Sequence, residues 1–546
     1  MLIRDWDIWY TYSSFLEVSH IDLTAAASAL VRSGLSPCVV HRDGQTWWKV
    51  ENQVRTGQTL IQLSQRGVSA TVSLEVDGGG DAGLEGYTKE VWTQACNFRF
   101  NEMRLCKDGP LPPPYIRVTL GEFHLTSSDE NISVILYPVV KLFETGVILV
   151  QFRLIAPDRD IPLEEFIPHY VDLGGALFNE VLVPPSVTEL AAKAYFHSAT
   201  SWPLYWRYLL HKAECKHDQA VEELTQEIES GDFSAMLAPM TSEGEAGDTL
   251  SSIASTLYSI IGYVISKPRS GAIFLLRGQV DIISSGNYWS GRPHIHVLDF
   301  EGQKISAKEN ISAFGGEFGL ILGRTVADTP DDGLRYLTDD LRHFDDLSSF
   351  ISQSATLWVW SLNGKERQAE SADANRGHLI YEQQAIVELL EYGYMLHRAL
   401  LSKVEKAKDA NEIHELRWAV NHLQFDMENA THFGETRALL FSGWDEIGLA
   451  KLKDRISAAL SIRSEQVTFH DARRSERQGK LLTIVFGMIA VPPIANDVLS
   501  PAWDLLGWWT PCGESAKSLF FIVIAVAFVI LLVSTLNPFG WGRRKF

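Results

Sequence analysis

SLFFIVIAVAFVILLVSTL, residues 518–536, is an uninterrupted apolar run without an ionisable side chain, and its reading decides how the rest of the chain is understood. At about 1.5 Å per residue, a helix of this length covers roughly 30 Å, the thickness of a bilayer's hydrocarbon core. The run is predicted to span a membrane. Upstream, LLTIVFGMIAVPPIANDVL at residues 481–499 is a second apolar run, interrupted by Pro492 and Pro493, with Asn496 and Asp497 near its far end. Read as a span it completes a hairpin; read as a re-entrant or interfacial segment it does not. Charge placement favours the hairpin. Arg473, Arg474, Arg477 and Lys480 precede the first run, and Arg543, Arg544 and Lys545 follow the second. Both basic flanks then lie on the cytosolic side. Trp503, Trp508 and Trp509 in the connection suit an interface belt on the opposite side. The expectation is a multi-pass protein of the cell's inner (plasma) membrane with both termini cytosolic and the lipid bilayer as a partner.

Residues 1–480 precede the hairpin, enough for several folded domains. The first 16 residues carry Arg4, Asp5 and Asp7 and lack the continuous apolar core of a signal peptide, so translocation of the N-terminal bulk is not expected. The five cysteines, Cys38, Cys96, Cys106, Cys215 and Cys512, form neither C-x-x-C pairs nor a regular framework, which argues against structural disulfides and cysteine-based zinc sites. A net charge of -20 argues against general nucleic-acid binding, because phosphate contacts need a basic surface. The same carboxylates fit either cation collection or the solubility of a large oligomer. No nucleophile elbow, Walker motif, H-E-x-x-H or zinc-deaminase pattern occurs, so the chain is not expected to be an enzyme.

The fold class expected is an α+β cytosolic region followed by long stalk helices and a C-terminal two-helix transmembrane hairpin. Residues 1–156 are read as a β-rich domain, because VSATVSLEV (68–76), YIRVTLGEFHL (115–125), ISVILYPVV (132–140) and GVILVQFRLI (146–155) are β-branched or alternating runs separated by turn residues. Residues 157–375 are read as mixed. They hold a helical stretch to about residue 229, a linker at 230–248, a buried or amphipathic helix in SSIASTLYSIIGYVIS (251–266) and strands in AIFLLRGQVDIIS and PHIHVLDF. His294 and His296, two apart on a strand, share one face and have the chemistry of a metal pair. No third ligand is identifiable, and surface or turn-supporting histidines give the same pattern. GGEFGLILGR (315–324) reads as a turn leading into a strand. The aspartate pairs between residues 328 and 346 offer oxygen ligands to a divalent cation, or equally a solvated helix face with N-caps.

From residue 376 the apolar positions recur at three and four spacings, which predicts a helical hairpin over residues 378–433. A third helix is predicted from Trp444 or Asp445 directly into the first apolar run, since no proline lies between Glu446 and Val491. Residues 376–480 are thus hairpin and stalk, 481–536 the transmembrane hairpin and 537–546 a basic tail.

This C-terminal third resembles the CorA family of divalent-cation channels and transporters. The resemblance rests on the stalk over residues 445–480, the entry KLLTIVFGMIAVPP at 480–493 and the tail GRRKF at 542–546. It implies a homo-oligomer, a pentamer in that family, with a pore lined by the first membrane helix and cations as cargo. The family's Gly-Met-Asn signature is missing: the corresponding region reads IANDVLSPAW, and Gly487-Met488 is followed by Ile489. The outer-mouth candidates are therefore Asn496 and Asp497, whose oxygens, repeated by an oligomer, attract hydrated cations. Gly487, Pro492 and Pro493 are candidates for close packing or a bend of the pore helix. Divergent CorA-like proteins without the signature include membrane effectors of type III CRISPR defence, activated by a nucleotide signal. The enlarged N-terminal region fits a sensor for a small cytosolic ligand. A membrane-tethered enzyme or scaffold is the remaining alternative.

Overall fold

The computed structural model describes residues 1–16, 18, 20–50, 53–63, 70–79, 82–105, 113–127, 132–199, 248–266, 289–327, 329–342, 344–370, 377–428, 434–493, 497, 500–506 and 514–535. Two units are distinguished. One comprises Met1–Lys403 and Leu416–Ser457, and the other Val404–Glu415 and Ala458–Phe546.

The first unit is built on a large mixed sheet. Its strands are β1 (Leu2–Phe15), β2 (Cys38–His41), β3 (Gln45–Val50), β4 (Gln53–Leu63), β5 (Ala70–Val76), β6 (Tyr115–Thr119), β7 (Phe123–Ser127), β8 (Ile132–Phe143), β9 (Val147–Ile155), β10 (Ile161–Pro162), β11 (Glu180–Leu182), β12 (Trp289–Phe300), β13 (Leu347–Ile351) and β14 (Thr356–Trp360). The order across the sheet is β13-β14-β12-β1-β9-β8-β6-β2-β3-β4-β5, with β7, β10 and β11 paired off this path. All pairs are antiparallel except β12 with β14. β12 inserts beside β1, so strands far apart in sequence share the centre of the sheet.

Both faces of the central strands are buried, as in sheets covered on two sides. One face is apolar: Ile8, Tyr10, Tyr12, Val150, Phe152, Ile295, Val297, Leu357 and Val359 form a single core. It is covered by α1 (Leu23–Arg32), α4 (Leu250–Ile265) and α5 (Ala307–Gly323); α2 (Gly86–Leu105) and α3 (Pro185–Ala199) come between α1 and α4 in the chain. α4 is the buried helix expected at 251–266, and its start is fixed by a capping box between Thr249 and Ser252. The opposite face is covered by α2 and by α6 (Gly377–Lys406), which α8 (Gly434–Glu446) supports through Trp444 Nε1, donating to the Leu390 carbonyl at 3.1 Å. Between α6 and α8 comes α7 (Ala410–Glu428), completing the helical pair expected from residue 376.

α5 corrects one expectation. GGEFGLILGR is helical rather than a turn and strand, because Ser306 and Glu309 close a capping box at its start and Arg324 ends it in the left-handed conformation at φ 54°. Gly316 and Gly319 face the 3₁₀ turn Pro330–Tyr336, where a Cβ would strike the carbonyls of Pro330 and Gly333. These glycines serve close packing, not a turn.

The long stalk is α9 (Leu449–Pro493), 45 residues that begin after Gly448 at φ 79° rather than at Trp444. Pro492 and Pro493 are the last described residues of this helix. In the second unit, Arg463 Nε donates to the Ala407 carbonyl at 2.7 Å, and Val404, Ile413, Leu460 and Val467 are buried. α10 (Glu514–Thr535) carries the apolar run, and Trp503 packs edge-on against Phe520 and Phe521. Among the described residues, no helix is long and apolar enough to cross a membrane. The expected hairpin is thus present as helical segments but is not supported as a pair of spans.

Candidate functional site: a buried polar layer beneath α6

Strand alternation sends Asp7, Trp9, Thr11 and Ser13 of β1 to the α6 face, opposite the apolar core. Register extends this row. Trp9 pairs with Arg153 of β9 and His294 of β12, Thr11 with Gln151 and Arg292, and Asp7 with His296. Arg117 of β6 pairs with Lys141 of β8, and His294 with Thr356 of β14. Each of β6, β8, β9 and β12 thus sends one basic side chain, Arg117, Lys141, Arg153 or Arg292, into a layer where burial without partners would be prohibitive.

The partners come from β1, α2 and α6. Glu388 accepts from Arg117 Nη1 and Nη2 at 3.0 and 2.7 Å and from Lys141 Nζ at 2.7 Å. Glu102 of α2 takes a further bond from Lys141 and the hydroxyl of Tyr115. The Arg117 guanidinium lies 3.7 Å over the Phe98 ring. Arg153 Nη2 donates to Asp7 at 2.6 Å and Nη1 to the Tyr381 hydroxyl at 3.2 Å. Arg292 Nε donates to Glu391 at 3.1 Å, and Ser13 donates to the same carboxylate at 3.2 Å. Asp7, Glu102, Glu388 and Glu391 therefore match Arg117, Lys141, Arg153 and Arg292 in number, leaving the layer neutral.

Burial and partners set the protonation states. Burial raises the Glu388 carboxyl, but Arg117 and Lys141 outweigh it and hold the group below the usual carboxylate range. At Glu391 burial wins over Arg292 and the carboxyl is pushed up. Burial, with Arg292 and His296 adding to it, holds His294 well below the ordinary imidazole range. His296 is lowered to about 4 by burial, against the pull of Asp7. Both rings are therefore neutral at pH 7.

Of the residues singled out by sequence, His294 and His296 enter this layer, fully buried. His296 Nδ1 meets Gln383 Oε1 at 2.9 Å, which assigns its proton to Nδ1, and its ring stacks on Trp358 with centroids 6.2 Å apart. They are core histidines rather than surface ones. Among the described residues no group of three or more His, Cys, Asp or Glu side chains could hold a metal ion. Gly487 and Pro492 lie within α9; Pro493 and Asp497 are exposed, and Asn496 lies outside the described residues. The basic tail, Trp508 and Trp509 lie outside them as well. Sequence reasoning passed over the ionic partners. Their signal was one cation at the middle of each otherwise apolar strand, as in YIRVT, VVKLF and VQFRLI, with Glu388 and Glu391 spaced to share a helix face.

An open groove of about 520 Å³ beside Lys49, Ser36, Tyr87, Thr88 and Ser186 lies near the starts of α2 and α3. Tyr87 donates to the Leu120 carbonyl, and Ser36 donates within the strands, so these side chains are already committed. Comparison with known proteins finds no matching family model, no matching curated protein and no matching solved structure.

Proposed function

We propose that the chain is a membrane-attached, oligomeric channel or transporter for cations, gated by its large N-terminal unit. The observation that carries the reading is helical continuity. α6 roofs the polar layer of the first unit through Lys403 and belongs to the second from Val404, while α9 belongs to the first through Ser457 and runs on to Pro493. Two long helices thus offer a path from a buried ionic layer to the apolar C-terminal segments. The uncharged run at 518–536 supports attachment to a plasma membrane with cytosolic termini, by its length and its basic flanks. Binding of a small cytosolic ligand would shift an equilibrium between two placements of α6. Asn496 and Asp497 would ring the outer mouth of the pore, and the resemblance to CorA proteins supports a homopentamer with a divalent cation as cargo.

A second reading is a signal-activated membrane effector of the defence type. It is favoured by the closure of the layer, whose ionic side chains are nearly all buried, because a closed roof suits activation on demand. Ion flux through purified protein in liposomes separates the readings. Constitutive divalent-selective flux supports transport, and flux only after a cell extract is added supports the effector. A monomer in detergent, or no flux under any condition, defeats the pore.

A further inference from the structure

His294 sits where five buried residues leave polar atoms without a partner. Its own two ring nitrogens have none, nor do Trp9 Nε1, Arg292 Nη2, Thr356 Oγ1 and His296 Nε2. These are its register neighbours on β1 and β14 and its same-face neighbours on β12. Each of the five residues is at most 2 % exposed. Leaving so many donors and acceptors bare in one place is more than a native core carries without a use.

The chemistry of these atoms selects what would complete them. Arg292 Nη2 and Trp9 Nε1 are donors and the Thr356 hydroxyl can donate, while His296 is turned to the Gln383 and Gln384 amides and is not counted among the donors. Arg292 repels a metal cation at His294, and Asp7, the nearest carboxylate in register, is already engaged by Arg153. An acceptor-rich group suits the donors, and although Glu391 already matches the Arg292 charge through Nε, Nη2 still offers a charged N–H to an oxyanion's oxygen.

We propose that this cluster is a binding site for a small oxyanion-bearing ligand, a carboxylate or a phosphate, held by Arg292, Trp9, Thr356 and His294 beneath α6. The ligand enters only when α6 lifts from the layer, because the lining is otherwise sealed. The inference deepens the ligand-sensing part of the proposed function and rests on that part alone. It holds whether or not the C-terminal segments enter a membrane.

The test uses the full chain purified in detergent, titrated with sodium acetate or inorganic phosphate against sodium chloride at equal ionic strength, and read by thermal midpoint and calorimetry. Saturable stabilisation by acetate or phosphate is expected, and the effective anion identifies the source. Thr356→Val and His294→Gln should each weaken the apparent Kd at least tenfold, with the unliganded thermal midpoint of Thr356→Val within a few degrees of the parent. No saturable shift with either anion, or equal shifts in the parent and Thr356→Val, overturns the proposal and assigns the polar atoms to internal water. Liposome flux is measured separately, so loss of the pore reading leaves this result intact.

Discussion

Glu388 holds two cations with one side chain, and its fully buried position leaves no water to replace it. Truncation in Glu388→Ala removes both hydrogen bonds that Arg117 makes to Glu388 and leaves Glu102 as the remaining carboxylate for two buried cations, which should cost about 3–5 kcal/mol of stability. The fall in thermal midpoint checks it, and adding Arg117→Met should recover part of the loss, since one stranded charge is removed. The histidines set a pH dependence of definite sign. His296 and His397 are held at about 4 by burial, below the roughly 6.5 of the unfolded chain, and His294 is shifted in the same direction. The unfolded state therefore binds more protons between these values. Stability should be complete above pH 6.5 and fall by roughly 3 kcal/mol for each of His296 and His397 as pH drops towards 4, with His294 adding a loss of the same sign. Glu391, raised by burial, contributes with the opposite sign at the acid end. Midpoints measured from pH 7.5 to 4 should show a shallower slope in His296→Gln, and a flat parent profile would contradict the neutral burial of these rings. The cations facing this layer were visible in the strands' sequences, but their partners were not. Pairing Arg117 with Glu388 joins residues 271 apart, and no local periodicity encodes that distance.

At the scale of elements, the helix hairpin, the stalk and strands β5, β6, β8, β9 and β12 follow from period and turn chemistry. The exceptions have tertiary causes. β1 contains DWDIWYTYSS, a mixture of acids, hydroxyls and aromatics that does not resemble a central strand until one face is recognised as a polar interior. α5 looks like a turn because Gly315, Gly316, Gly319 and Gly323 fall within nine residues. Its signature is instead the capping box at Ser306 and Glu309, with glycines on the side that meets the turn Pro330–Tyr336. Gly319→Ala tests this directly. In an exposed helix the change should stabilise by up to about 1 kcal/mol. Here the added methyl meets the Gly333 carbonyl, so helix and turn must separate, and a loss of about 1–3 kcal/mol is expected from overpacking. A thermal midpoint at or above the parent's would place the glycines on an open face.

At the scale of the whole molecule, two kinds of burial divide the chain. The first unit hides nearly every side chain of its central sheet, including five charged ones that Glu102 of α2 and Glu388 and Glu391 of α6 complete to four matched pairs of charges. In the second, the stretch of α9 from residue 468 to 479 is exposed throughout, and Phe469 and Phe486 are 56 % and 66 % exposed. A helix exposed on all sides gains little from propensity alone and depends on partners or lipid for its stability. That dependence makes the membrane reading testable by removal. A chain ending at residue 480 keeps the sheet and all of its ionic partners, so it should remain folded. It should also move from the membrane pellet to the soluble fraction and lose liposome flux. In the full chain, Asp497→Ala should leave attachment unchanged but lower cation flux if carboxylates ring the mouth, because each subunit would lose one charge. Retention of the shortened chain in an alkaline-washed membrane pellet would move the anchor into the first unit. Flux unaltered by Asp497→Ala would remove that residue from the ion's path and leave the proposed attachment through residues 518–536 to the truncation.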